Sequence, residues 1–241
     1  MHWALVSGAI GGNDAMAREG PLTVSAQSSS ESGTRALLTC ALVAGPLWWA
    51  VVLVQMLIRP GFDIRRHAIS LLSLGDLGWI QVINFIVAGT LLVAGSLGMR
   101  RALNGGRGGA WGPVLVATFG LGLIGAGVFA PDPLNGFPPG TPSSPSGLSG
   151  HGALHLLFSS ASFLSLIVVS TVVFARRFAA LGQRGWALCA VAAGVLVLVA
   201  WAALVVTAAS SSIVNIAFPA AVALTWALIT VVAAQLRGRD Y

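Results

Sequence analysis

Apolar residues fill six stretches of this chain, roughly 35–57, 79–99, 111–130, 152–175, 185–207 and 212–235, and polar residues are confined to the segments between them. A helix needs about 20 residues to cross a hydrocarbon core, and each stretch comes close to or exceeds that length. A spanning segment must satisfy its own backbone hydrogen bonds, so runs of this kind are helices. The pattern predicts an all-α fold, a polytopic membrane protein built as a six-transmembrane-helix bundle. Gly45-Pro46 in the first run and Pro219 in the sixth are expected kinks. Gly120, Gly122, Gly125 and Gly127 in the third permit close backbone approach between helices. Gln55, Gln81 and Asn84 are amides inside spans and are expected to face other helices.

Residues 1–33 show no helical apolar stripe and read as a disordered tail. No basic segment followed by an apolar core opens the chain, so this is not a signal peptide. Met16 is a second candidate start. The transmembrane domain is expected over 34–236, with a short basic tail over 237–241.

Composition agrees with the pattern. Hydrophobic residues make up 56% of the 241 positions and charged residues only 8%, against about 25% charged in soluble domains. All 13 basic residues are arginine and the net charge is +6. These arginines flank apolar segments, where they orient helices, so the charge does not argue for nucleic acid. Nine of them (Arg35, Arg100, Arg101, Arg107, Arg176, Arg177, Arg184, Arg237, Arg239) fall on one side, against Arg59, Arg65 and Arg66 on the other. The positive-inside rule then places both termini in the cytoplasm and the loops 58–78 and 131–151 outside, in a multi-pass plasma-membrane protein. Cys40 and Cys189 lie within apolar runs without metal-type spacing and read as small buried side chains. No P-loop or GxGxxG spacing is present.

Every histidine and carboxylate outside the two tails falls in or beside those outer loops: Asp63, His67, Asp76, Asp132, His151 and His155. Ionisable groups at a membrane are costly and point to function. In the first loop, a helical wheel puts Asp63, Arg66, His67, Ser70 and Ser73 on one side, which predicts a short amphipathic helix in the interface. Asp63 and His67 are one turn apart and able to pair, and Trp79 is an expected interfacial anchor. The second loop holds six of the 11 prolines and four glycines, so it is neither helix nor sheet. Asn135, Gly136 and Phe137 suggest a shaped cap over the helix ends.

Ser149 is the expected N-cap of the fourth span, and His151 and His155 stand in its first two turns. Their i, i+4 spacing puts both imidazoles on one face, as in the HExxH zinc helices, though the glutamate base of that motif is absent. The same face continues through Ser159, Ser162 and Ser165. With His67 and Asp132, the pair makes a candidate ligand set for zinc or iron. Asp76 is the candidate general base and Ser70 the candidate substrate-positioning group. A pair of interfacial histidines bonded to loop carbonyls is the structural alternative.

The segments RPGFDIRRHAISLLSLGDLGWIQVINF (59–85) and FAPDPLNGFPPGTP through SGHGALH (129–155) resemble the signature regions of a prokaryotic integral membrane family known as domain of unknown function 998. The resemblance implies a six-helix membrane protein and carries no established activity. A looser analogy joins the HxxxH pair to the ceramidase and adiponectin-receptor membrane hydrolases, which have seven spans.

These readings converge on a metal-dependent membrane hydrolase or oxidase acting on a lipid or other small amphiphile at the outer face. A transporter is a second expectation, although no charge lies mid-span and no inverted repeat is visible. A non-catalytic scaffold is the third.

Overall fold

Each apolar run becomes a helix, and each proline-rich or glycine-rich segment becomes a connection. The computed structural model describes residues 21–106, 108–143, 147–207 and 210–238. Met16 and Arg107 lie outside the described residues, as do Arg239 and most of the segment read as an N-terminal tail. Helix α1 covers Pro21–Ile58, α2 Gly78–Leu103 and α3 Trp111–Val128. The fourth span runs from α4 (Gly150–Val168) through a π-helical segment (Val169–Phe174) into α5 (Ala175–Ala180). Helices α6 (Arg184–Val206) and α7 (Ser212–Arg237) complete the bundle. Among the described residues, six helices are long and apolar enough to cross a membrane, matching the six expected runs.

Helix α1 starts at Pro21, upstream of the span expected from residue 35. No proline interrupts the residues after Pro21 until Pro46, and the Thr34 hydroxyl donates to the Ser30 carbonyl within the helix. Pro46 and Pro219 both lie inside continuous helices.

Packing follows the small residues. A Cβ on Gly89 of α2 would stand 2.5 Å from the Gly120 carbonyl oxygen of α3, and one on Gly120 would stand 2.7 Å from the Gly89 oxygen. Only hydrogen fits at that crossing, which is the physical use of glycine between spans. Gly122 does the same between α3 and α4, where an added Cβ would lie 2.7 Å from the Phe158 carbonyl. Gln55 donates to Gln81 at 2.7 Å, and Asn84 donates to the Trp48 carbonyl at 3.2 Å. These amides are buried between α1 and α2, as expected.

The described residues of the connections between α1 and α2, α3 and α4, and α6 and α7 gather at one end of the bundle, and those between α2 and α3 and between α5 and α6 at the other. Helix α6 packs on α7, on the π-helical segment and on α5, but only lightly on α4. The bundle is therefore tight at the short-loop end and wedged open between α4 and α6 at the capped end. That wedge positions the site.

Candidate functional site

The first cap loop is not the amphipathic α-helix expected for it. It folds as turns over 60–66 and a five-residue 3-10 helix, Ile69–Ser73. Side chains compete with the helical pattern for the backbone. The Asp63 carboxylate accepts from the Arg65 backbone N–H at 2.9 Å and from the Arg65 Nε–H at 3.2 Å. Those bonds, the backbone one foremost, hold the Asp63 carboxyl below the usual carboxylate range. The Asp63 backbone N–H donates to His67 Nδ1 at 2.9 Å, so Asp63 and His67 do meet, but through the main chain. Arg59 at the end of α1 donates to the Leu72 carbonyl at 2.9 Å and to that of Leu74, and its guanidinium lies 5.5 Å from the Phe137 ring centre.

The second loop is the shaped cap the prolines suggested. Asn135 and Gly136 adopt φ of 57° and 79°, and the Phe137 N–H donates back to the Leu134 carbonyl at 3.2 Å. Two positive φ values make Asn-Gly the natural pair for such a tight turn. The turn drives Phe137, fully buried, against Phe62 and His67, at ring-centre distances of 5.5 and 5.3 Å. The Asn135 side chain donates to the Arg66 carbonyl at 2.7 Å, while His67 Nε2 contacts the Asn135 carbonyl at 3.2 Å. The Asn215 side chain of α7 donates to the Arg65 carbonyl at 3.0 Å and ties the cap to a third element.

Ser149 caps α4 as expected, its hydroxyl accepting from the Gly152 N–H at 3.0 Å. Asp132 accepts from the Ser149 N–H at 2.9 Å. The Ser149 hydroxyl and backbone N–H, in that order, with a smaller contribution from His155, hold the Asp132 carboxyl below its ordinary value. His155 is buried, and its Nδ1 lies 2.8 Å from the Phe129 carbonyl and 3.0 Å from that of Ala126. Carbonyls only accept, so Nδ1 carries the proton. Nε2 is then the ring's acceptor, and it makes no hydrogen bond among the described residues.

The expected four-ligand set does not come together. Both ring nitrogens of His67 are taken up by the cap. His151 is exposed, with its ring edge-on to Phe129 at 5.8 Å. Asp132 faces the start of α4 and His155. Among the described residues, no group of three or more His, Cys, Asp or Glu side chains is placed to hold a metal ion. The reason is height: one helical turn is about 5.4 Å, and His151 stands a turn beyond the carbonyls at the end of α3 that receive His155. Asp76 is exposed and stands outside the cavity, whereas Ser70 lines it.

That cavity, about 660 Å³, occupies the wedge between the helices at the capped end. Its floor is aromatic. Trp48 of α1 stacks on Trp226 of α7 at 5.4 Å and 22°, and Phe119 of α3 meets Trp226 edge-on at 5.1 Å. Phe163, Trp201 and Phe218 make the wall beside α6. Polar groups gather toward the cap: Ser70, Asp132, His155, Ser159 and Asn215. Leu148, Leu156 and Val205, all exposed, form a lip between the start of α4 and the end of α6. The aromatic floor is not legible in the residue pattern. Its only signal was a set of Trp and Phe residues within spans, which look the same whether they face lipid, core or cavity.

Six membrane-length helices around a capped internal cavity define a polytopic integral membrane protein. Residues 42–235 match the family model described as protein of unknown function (DUF998), and the chain belongs to that family. No curated protein and no solved structure matches the chain.

Proposed function

We propose that this protein binds a lipid-derived amphiphile inside the bundle, with the apolar chain on the aromatic floor and the polar end beneath the cap. The observation that carries the reading is the cavity itself, about 660 Å³, with rings at its floor and hydrogen-bonding groups at one end. Its size falls within the roughly 300–1,000 Å³ of small-molecule sites, and its lining has the same division into apolar walls and a few polar groups. The apolar lip of Leu148, Leu156 and Val205 supports entry from the bilayer rather than from water. The arginine distribution supports a cap at the outer face of the plasma membrane, with cytoplasmic termini. The test is lipid extraction and mass spectrometry of the protein purified in mild detergent, beside Ser159→Trp, which fills the cavity. One amphiphile near stoichiometry in the wild type, lost from a variant that still elutes as a folded species, is the expected result. Equal lipid content in both overturns the proposal.

Catalysis on the bound amphiphile is the second reading, as a hydrolase or oxidase using zinc or iron. The open Nε2 of His155, within electrostatic reach of Asp132, favours it. Metal content of wild type beside His155→Ala tests it. Near-stoichiometric metal lost in the variant supports the reading, and equal occupancy in the two removes it.

A further inference from the structure

The polar end of the cavity has a definite electrical character. Among the described residues no arginine lines it and the one charged side chain in the lining is Asp132; the chain contains no lysine. The three arginines of the cap are committed elsewhere. Arg59 serves the Leu72 and Leu74 carbonyls and the Phe137 ring. Arg65 pairs with Asp63 at 3.2 Å, and Arg66 donates to the Asn135 carbonyl at 3.3 Å. The Asn215 amide N–H is taken by the Arg65 carbonyl, and the indole N–H donors of Trp48 and Trp49 belong to the floor. The groups left at the polar end are therefore acceptors or hydroxyls: the Asp132 carboxylate, His155 Nε2 and the Ser70 and Ser159 hydroxyls. The Ser149 hydrogen bonds favour the ionised form of Asp132. An anionic headgroup placed there would lose part of its hydration against His155, meet a like charge and find no cation, which is unfavourable on each count.

We infer that the amphiphile held in this cavity is uncharged and carries a hydroxyl donor, which His155 Nε2 and the Asp132 carboxylate accept, and that acidic lipids are rejected. The inference rests on the amphiphile-binding reading and specifies the ligand's class. A hydroxyl fits because it donates to an acceptor-rich site and also accepts from the serines. A carboxylate or phosphate monoester only accepts when ionised, so it leaves both acceptors unanswered. Beside the buried His155, that mismatch decides specificity more strongly than chain length does.

The experiment compares 1-monooleoylglycerol with oleate, which share an acyl chain and differ in head. Binding to the full-length protein in a nonionic detergent is measured by native mass spectrometry at a pH where oleate is ionised. We expect oleate to bind at least about tenfold more weakly, a difference of about 1.4 kcal/mol. Asp132→Asn removes the like charge and narrows that gap, while His155→Phe weakens monooleoylglycerol and leaves oleate little changed. Oleate binding as tightly as monooleoylglycerol, or an unchanged gap in Asp132→Asn, overturns the inference. If neither probe binds but extraction still yields a stoichiometric amphiphile, headgroup specificity falls and amphiphile binding stands. If extraction yields none and neither probe binds, both fall together.

Discussion

His67 and Asn135, 68 residues apart, are joined by a hydrogen bond of 3.2 Å from the imidazole Nε2–H to the Asn135 carbonyl. Nδ1 of the same ring receives the Asp63 N–H, so one neutral histidine satisfies a donor in its own loop and an acceptor in the other. His67→Ala would strand the Asp63 N–H, leave the Asn135 carbonyl with only its 3.3 Å bond from Arg66, and unseat the Phe137 ring. We expect it to cost about 1–3 kcal/mol, the range for leaving buried polar groups unsatisfied. Thermal unfolding in detergent measures this, and an unchanged midpoint would remove His67 from its role as the pin of the cap.

The HxxxH pair should separate in mutagenesis. His151 is exposed and touches only a ring edge, whereas His155 is buried against two carbonyls. His151→Ala is expected to leave the unfolding temperature of the apoprotein unchanged. His155→Ala is expected to lower it, because the Ala126 and Phe129 carbonyls lose their donor. Equal effects of the two substitutions would mean that the histidines act as a pair after all.

The α2–α3 crossing predicts a sharp size limit. Gly89→Val would bring its Cβ to 2.5 Å from the Gly120 carbonyl, and backbone cannot swing aside as a side chain can. Overpacking of this kind costs about 1–3 kcal/mol and sometimes more. The fraction of monodisperse protein by gel filtration should fall, and Gly105→Val, a glycine with no neighbour within 4 Å, controls for expression but carries its own backbone strain at a φ of 73°. A well-behaved Gly89→Val protein would contradict the crossing.

Asp132 sets an acid limb. Its carboxyl titrates below its unfolded value, chiefly through the Ser149 hydroxyl and N–H. The stabilisation is complete above the unfolded value of about 3.9 and is lost as pH falls through the lower folded value. Asp132→Asn removes this contribution, so the unfolding temperatures of variant and wild type should differ near neutrality and converge in acid. A gap that widens below about pH 4 would reverse the sign and reject the assignment.

Much of the fold was legible because its causes are local. The N-cap at Ser149 follows from a hydroxyl before an apolar run, and its bond to Gly152 is present at 3.0 Å. The burial of Gln55, Gln81 and Asn84 follows from the cost of an amide facing lipid. Glycines in a span permit close approach, and Gly120 and Gly122 of α3 are such positions. The first cap loop departs from its helical pattern because a helical wheel presumes helix. Asp63, His67 and Arg59 instead bond the loop's backbone and hold it in turns and a short 3-10 helix.

By itself, then, the sequence determined six membrane-length helices, the cap-forming character of the proline-rich loop and the segregation at one end of the histidines and carboxylates outside the tails, since hydropathy, length and backbone propensity belong to each segment alone. Only the tertiary structure decided that His67 is used up inside the cap, that His151 points away while His155 points inward, and that Trp48, Phe119 and Trp226 meet to floor a cavity. Those outcomes depend on where α3 ends beside α4 and on how lightly α6 packs along it. A side chain's role there is set by neighbours far away in the chain, and residue spacing within one helix does not encode them.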